Sequence, residues 1–126
     1  MNAKFQERIL DAWARGKQQT HPAAITHSGE DTNDTCGDTV YAEACLIGGR
    51  IIEIAVFPRG CCTSEAVAVL LSEWAVGKSL AEIQALCEED IPTTVGVEIP
   101  DNRYACMCVG LRALKRLRVH IPRQLL

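Results

Sequence analysis

Apolar residues recur along this chain with two different periods. Over residues 2–16, Phe5, Ile9, Leu10 and Trp13 fall at helical spacing, which predicts an opening amphipathic helix starting near Asn2 and ending near Gly16. Residues 21–35 hold Pro22, Gly29 and a cluster of Asp, Asn and Thr, the composition of a loop. The period then shortens to two. Residues 38–47 alternate as a half-buried strand, Gly48 and Gly49 turn the chain, and residues 50–57 return as a second strand. Pro58, Arg59 and Gly60 are expected to interrupt that strand.

Helical spacing resumes over residues 64–75, with Ser64 placed to accept the first free N–H groups and Gly77 to stop the helix. Ser79 and Glu82 form a capping box for a short helix reaching about Leu86. Residues 87–102, with Pro92, Gly96 and Pro100, read as irregular, and a last helix is predicted over 104–119. This order of elements predicts an α+β fold, a small antiparallel sheet with helices packed on one face. An isolated hairpin is marginal, so a third strand is needed, and residues 23–30 are the candidate.

Composition narrows the picture. With 126 residues, no repeats and no low-complexity tract, residues 1–126 are expected to form a single domain. A net charge of −3 gives no reason to expect nucleic-acid binding. The longest apolar run, residues 66–71, is too short to span a bilayer, and the start of the chain, with Lys4, Glu7 and Arg8, has no apolar segment of a secretory signal. A cytoplasmic protein acting away from membranes is the expectation. Seven cysteines are the anomaly: in a reducing compartment they remain thiols, which directs attention to metal or sulfur chemistry.

Three of these cysteines lie in separate loop-like contexts: Thr35-Cys36-Gly37-Asp38, Gly60-Cys61-Cys62-Thr63-Ser64 and Arg103-Tyr104-Ala105-Cys106. The hairpin alone brings Cys36, ahead of its first strand, close to Cys61, behind its second. Cys61, Cys62 and Cys106 all lie at helix starts, where the dipole should make thiolates easier to form. Thiolates gathered at one point repel one another unless a cation lies between them. Cys36, Cys61 and Cys106 with Asp38 therefore read as a four-ligand set, suited to zinc or to a labile iron–sulfur cluster, in which the carboxylate is the exchangeable corner. Against this stands the plainer reading that free cysteines pack as small hydrophobes, which suffices for Cys45 and Cys87 and competes evenly for Cys62. His21 and His27 are better read as solvated loop residues than as ligands. The basic run Arg112, Lys115, Arg116 and Arg118 reads as a cationic helix end.

The segments Thr35-Cys36-Gly37-Asp38, Phe57-Pro58-Arg59-Gly60-Cys61, Ser72-Glu73-Trp74-Ala75-Val76-Gly77-Lys78-Ser79-Leu80 and Arg103-Tyr104-Ala105-Cys106 resemble, in order, those of IscU/NifU-type iron–sulfur cluster scaffolds. The resemblance implies a scaffold that builds a transient 2Fe–2S cluster on Cys36, Cys61 and Cys106, with Asp38 as the fourth ligand. Sulfur would come from a cysteine desulfurase as persulfide, accepted by Cys106, and iron would join it. The cluster would then pass to acceptor apo-proteins, making the chain a carrier and no enzyme; a homodimer is compatible with this. The same ligands can hold zinc, so the alternative is a zinc-dependent persulfide acceptor for a desulfurase. A thiol-transfer protein using Cys61 and Cys62 without metal is a third class. The chain departs from the family pattern in three places. Ala105 stands where many members have histidine, residues 97–102 replace a chaperone-read Leu-Pro-Pro-Val-Lys segment, and the insertion of the SufU-like branch is missing.

Overall fold

The computed structural model describes residues 3–99 and 101–122; the side chains of residues 3–5 and of Arg103 lie outside that description, as do Asn2 and Pro100. Four strands, β1 (His27–Asn33), β2 (Asp38–Ile47), β3 (Arg50–Arg59) and β4 (Arg118–Val119), form one antiparallel sheet in the order β3-β2-β1-β4. The helices are α1 (Ala3–Gly16), α2 (Cys62–Ala75), α3 (Leu80–Ala85), α4 (Ile91–Val95) and α5 (Tyr104–Lys115). This is the α+β architecture expected from the pattern. Among the described residues no helix is long and apolar enough to cross a membrane.

The core lies between one face of the sheet and α2 and α5. Val40, Ala42 and Ala44 of β2 project into it at period two, and Asp38 continues the same row at the strand's start. Helix α2 is apolar almost all round and buries ten residues, because α1, α5 and the sheet enclose it. Helix α5 comes close enough to α2 that a Cβ on Gly110 would lie 2.9 Å from the Cα of Ala68.

Several sequence expectations are corrected. Part of the predicted loop is β1, running His27–Asn33, so the third strand begins and ends later than residues 23–30. Strand β3 passes through Pro58 without a break. It is an edge strand: Val56 N–H, facing outward, is capped by Gln19 Oε1 at 3.1 Å, and Pro58, two residues on, has no N–H to leave open. Helix α5 stops at Lys115 instead of continuing to Val119, and Arg118–Val119 pairs with β1. Residues 87–102 are not wholly irregular, since α4 forms there with Pro92 in its first turn and Gly96 (φ 73°) closing it. The capping box at Ser79 and Glu82 forms as expected.

Register matters for the site. Thr39 pairs with Arg59, which sets Asp38 opposite Gly60 across the open end of the β2–β3 hairpin. Near the other end the register shifts between Cys45 and Leu46, so that Ile52 is an extra residue on β3, a β-bulge.

Candidate metal and sulfur site

Three elements converge at the open end of the hairpin. Cys36 lies in the β1–β2 turn, Asp38 begins β2, and Cys106 lies in the first turn of α5. Their ligand atoms all fall within 4.8 Å of one another. The Sγ atoms of Cys36 and Cys106 are 2.8 Å apart, and Cys36 Sγ donates to Asp38 Oδ2 at 3.0 Å. Asp38 is buried, Cys106 is half-buried and Cys36 is exposed, so the group opens to solvent on one side.

Cys61 faces the same depression, about 360 Å³ in volume, whose rim also carries Arg59 and Gly60. Its position follows from helix α2. Cys61, not Ser64, is the N-cap: Cys61 Sγ accepts from Ser64 N–H at 3.4 Å, and Ser64 Oγ donates back to the Cys61 carbonyl at 3.1 Å. Gly60 is required by a close approach, since a Cβ there would overlap Asp38 Oδ1 and lie 2.8 Å from Ser64 Oγ. The structure thus brings Cys36, Asp38 and Cys106 into one donor group and leaves Cys61 beside it on the same surface.

The donor set suits a thiophilic cation. Zn–S bonds of about 2.3 Å at tetrahedral angles would hold two sulfurs roughly 3.8 Å apart, so the two thiols need only separate by about 1 Å to bind. The expectation of a readily formed thiolate at Cys106 fails on its surroundings. Its contact with Cys36, then burial, then the Asp38 carboxylate push the thiol up to about 12. The Cys36 contact, burial and the Asp38 carboxylate together outweigh the bias of the helix start. Cys62 is also raised, first by burial and then by Cys61.

The remaining candidates are placed elsewhere. Cys45 and Cys108 are buried, and burial, followed by Glu88, pushes Cys108 up to about 12. Cys87, expected to be structural, is exposed. His21 pairs with the buried Glu43 on the outer face of the sheet and tilts over Phe57, while His27 Nδ1 meets Thr26 Oγ1 at 2.9 Å. A larger depression, about 410 Å³, lies beside Arg116, Arg118 and Tyr41 and contains no cysteine. Sequence reading missed the part played by Glu65. This buried carboxylate on α2 accepts from Gly60 N–H, and no spacing rule marks it.

A family model described as NifU-like N terminal domain matches residues 4–120, nearly the whole chain. The chain belongs to that family. The iron–sulfur cluster assembly scaffold protein IscU of Escherichia coli (strain K12) is 35% identical over 81 residues, which is 64% of this chain and 62% of that protein. The Shigella flexneri protein of the same description matches to the same extent, so the chain's match spans less than two thirds of these relatives. The solved structures that share the fold include the following two. One, assigned as an iron–sulfur cluster assembly scaffold for the SUF system of Fervidobacterium Islandicum AW-1, has a TM-score of 0.68 at 21% identity over 86% of this chain and 92% of that one. The other, a nitrogen-fixing NifU-like protein (N-terminal) from Brucella abortus, has a TM-score of 0.66 at 15% identity over 86% and 88%. Family and fold thus agree with the resemblance carried by the four sequence segments.

Proposed function

We propose that this chain assembles a labile 2Fe–2S cluster from iron and desulfurase-derived sulfur and hands it to acceptor apo-proteins. The observation that carries the reading is the convergence of two thiols and a buried carboxylate from three separate elements, open to solvent and flanked by a third thiol. A site meant to retain a structural metal is usually closed by cysteine and histidine; this one includes an oxygen donor and keeps an open side. Iron and sulfide are cargo here, held by Cys36, Cys61 and Cys106, with Asp38 as the ligand that exchanges. Sulfur arrives when the Cys106 thiolate attacks the outer sulfur of the desulfurase persulfide. The S–S bond breaks, the desulfurase keeps its thiolate, and Cys106 carries the persulfide; two electrons from a thiol reductant, which leaves as a disulfide, would then release the outer sulfur as sulfide and restore the Cys106 thiolate. The proton held on Cys106 must leave first, and incoming iron offers the compensating charge.

The test is anaerobic reconstitution with ferrous iron, cysteine and a cysteine desulfurase, followed by visible absorbance. A 2Fe–2S spectrum that is lost in Cys36→Ser, Cys61→Ser and Cys106→Ser is expected. Asp38→Ala should hold the cluster longer against a chelator, because the exchangeable oxygen is gone; decay as fast as in the parent would refute the labile corner.

A second reading has its own support. Cys61 lies outside the three-donor group, so Cys36, Asp38 and Cys106 would hold zinc while Cys61 takes persulfide. Bound zinc would supply the charge that keeps its thiols deprotonated. Retained zinc, faster desulfurase turnover and no cluster spectrum would select this reading.

A further inference from the structure

We infer that Glu65 is the positioning residue that ties helix α1 to the Cys61 loop and thereby sets where the Cys61 thiol and Asp38 stand; its bearing on metal binding rests on the function proposed above. Glu65 lies one turn into α2 and is buried. Its side chain turns back toward the start of its own helix, where Oε2 accepts from Gly60 N–H at 3.0 Å. Oε1 is engaged from the other side by two donors, Trp13 Nε1 of α1 at 2.9 Å and Nζ of Lys17, in the turn that follows α1, at 3.1 Å. One carboxylate therefore satisfies three donors from two regions that are far apart in sequence.

The loop end of this linkage has little freedom. Gly60 abuts Asp38 Oδ1 and Ser64 Oγ so closely that not even a methyl group fits, and Cys61 follows directly as the N-cap. A shift of Gly60 away from Glu65 would move the residue against which Asp38 rests and the residue that carries the thiol. A carboxylate suits this place because all its sites accept; an amide offers one acceptor and one donor group. Glutamine can thus serve Gly60 or α1, but not both. A buried hydrogen bond to a charged group is also among the stronger ones, so its loss should be felt locally.

The experiment is site-resolved alkylation of the metal-free chain with iodoacetamide, read by mass spectrometry for each cysteine, in the parent, E65Q, E65A and W13F. Cobalt(II) titration of the same proteins, followed by the thiolate charge-transfer band, runs beside it. Cys61 should be alkylated roughly tenfold faster in E65A and accelerated by less in E65Q, which keeps one of the two links, with Cys36, bonded to Asp38, moved less than Cys61 and the distant Cys87 unchanged. W13F, which removes one donor and keeps an aromatic ring, should move Cys61 in the same direction by less. Cobalt affinity should fall by about tenfold in E65A, the usual effect of losing an outer partner of a ligand. An unchanged Cys61, or equal acceleration of all three thiols, would overturn the positioning role. If E65A does not fold, E65Q and W13F decide on the same criterion. A parent that binds no cobalt while Cys61 responds as stated would leave the role standing and bring down the cluster-site reading instead.

Discussion

The two ends of the β2–β3 hairpin are built on opposite plans. At the Gly48-Gly49 end the chain closes on itself. Arg50 donates to the Gly77 carbonyl and to Glu82, each at 2.9 Å, Ile51 N–H donates to the Lys78 carbonyl, and Gly77 N–H donates to the Ile51 carbonyl. Ser79 and Glu82 complete a reciprocal cap alongside. At the other end, Cys36, Cys106 and Asp38 have mainly one another, and two of the three are thiols that form weak hydrogen bonds. The closed end has paired these donors with its own acceptors. The open end collects soft, acceptor-rich groups whose mutual proximity, together with burial, raises a thiol, and a bound cation would offset that crowding.

This contrast can be broken most directly at the thiols. Cys106→Ser should weaken cobalt binding by more than about 100-fold, beyond what losing an outer partner costs, whereas Cys87→Ser should leave it unchanged. Equal effects would end the distinction between gathered and scattered cysteines. Next in size is a pair of glycine substitutions. Gly60→Ala forces a methyl against Asp38 and should lower cobalt affinity by about tenfold while destabilising the chain by ~1–3 kcal/mol. Gly49→Ala, at φ 78°, should cost about 1–2 kcal/mol in urea unfolding and leave cobalt binding intact. Ser79→Ala, which removes the cap at the closed end, should cost about 1 kcal/mol, again with no change at the site.

The smallest effect concerns the Glu88–Arg112 pair, half-exposed at 2.8 Å, which lies outside both ends. The hydrogen bond from Arg112 holds the Glu88 carboxyl below its ordinary value, so the pair stabilises the fold above the unfolded carboxyl pKa of about 4.3. That contribution disappears as pH falls through the depressed folded value. Exposure limits it to roughly 0.5 kcal/mol, and the urea midpoints of Glu88→Gln and the parent should converge below that window.

What the sequence disclosed follows from what periodicity can carry. The hairpin was legible because Val40, Ala42 and Ala44 alternate up to a Gly-Gly turn, and its ends then implied that Cys36 and Cys61 are neighbours. Strand β1 was obscure because its inward positions are Gly29 and Asp31, not hydrophobes. A Cβ on Gly29 would lie 2.6 Å from the Ala113 carbonyl, so α5 passes where a side chain would otherwise announce the strand. Its strand character comes from β2 and β4, which are tertiary partners. The end of α5 was overrun for the same reason: β1 takes Arg118 and Val119 out of the helix. At the site, the motif cysteines and Asp38 were readable, but the raised Cys106 thiol was not, since it depends on side chains 68 and 70 positions away coming within contact. Glu65 was silent, because a glutamate in the first turn of a helix usually needs no further explanation.

The bulge at Ile52 has a consequence for how much variation the molecule tolerates. Strand pairing is normally unforgiving, because a slip of one residue turns every side chain to the opposite face. Here the surplus residue is absorbed between the turn and the long, regular stretch that ends at Thr39 and Arg59. The bulge acts as an expansion joint. Changes of length or sequence near Gly48 can be taken up there, and the alignment of Asp38 with Gly60, seven positions along from Cys45 and Glu53, need never register them.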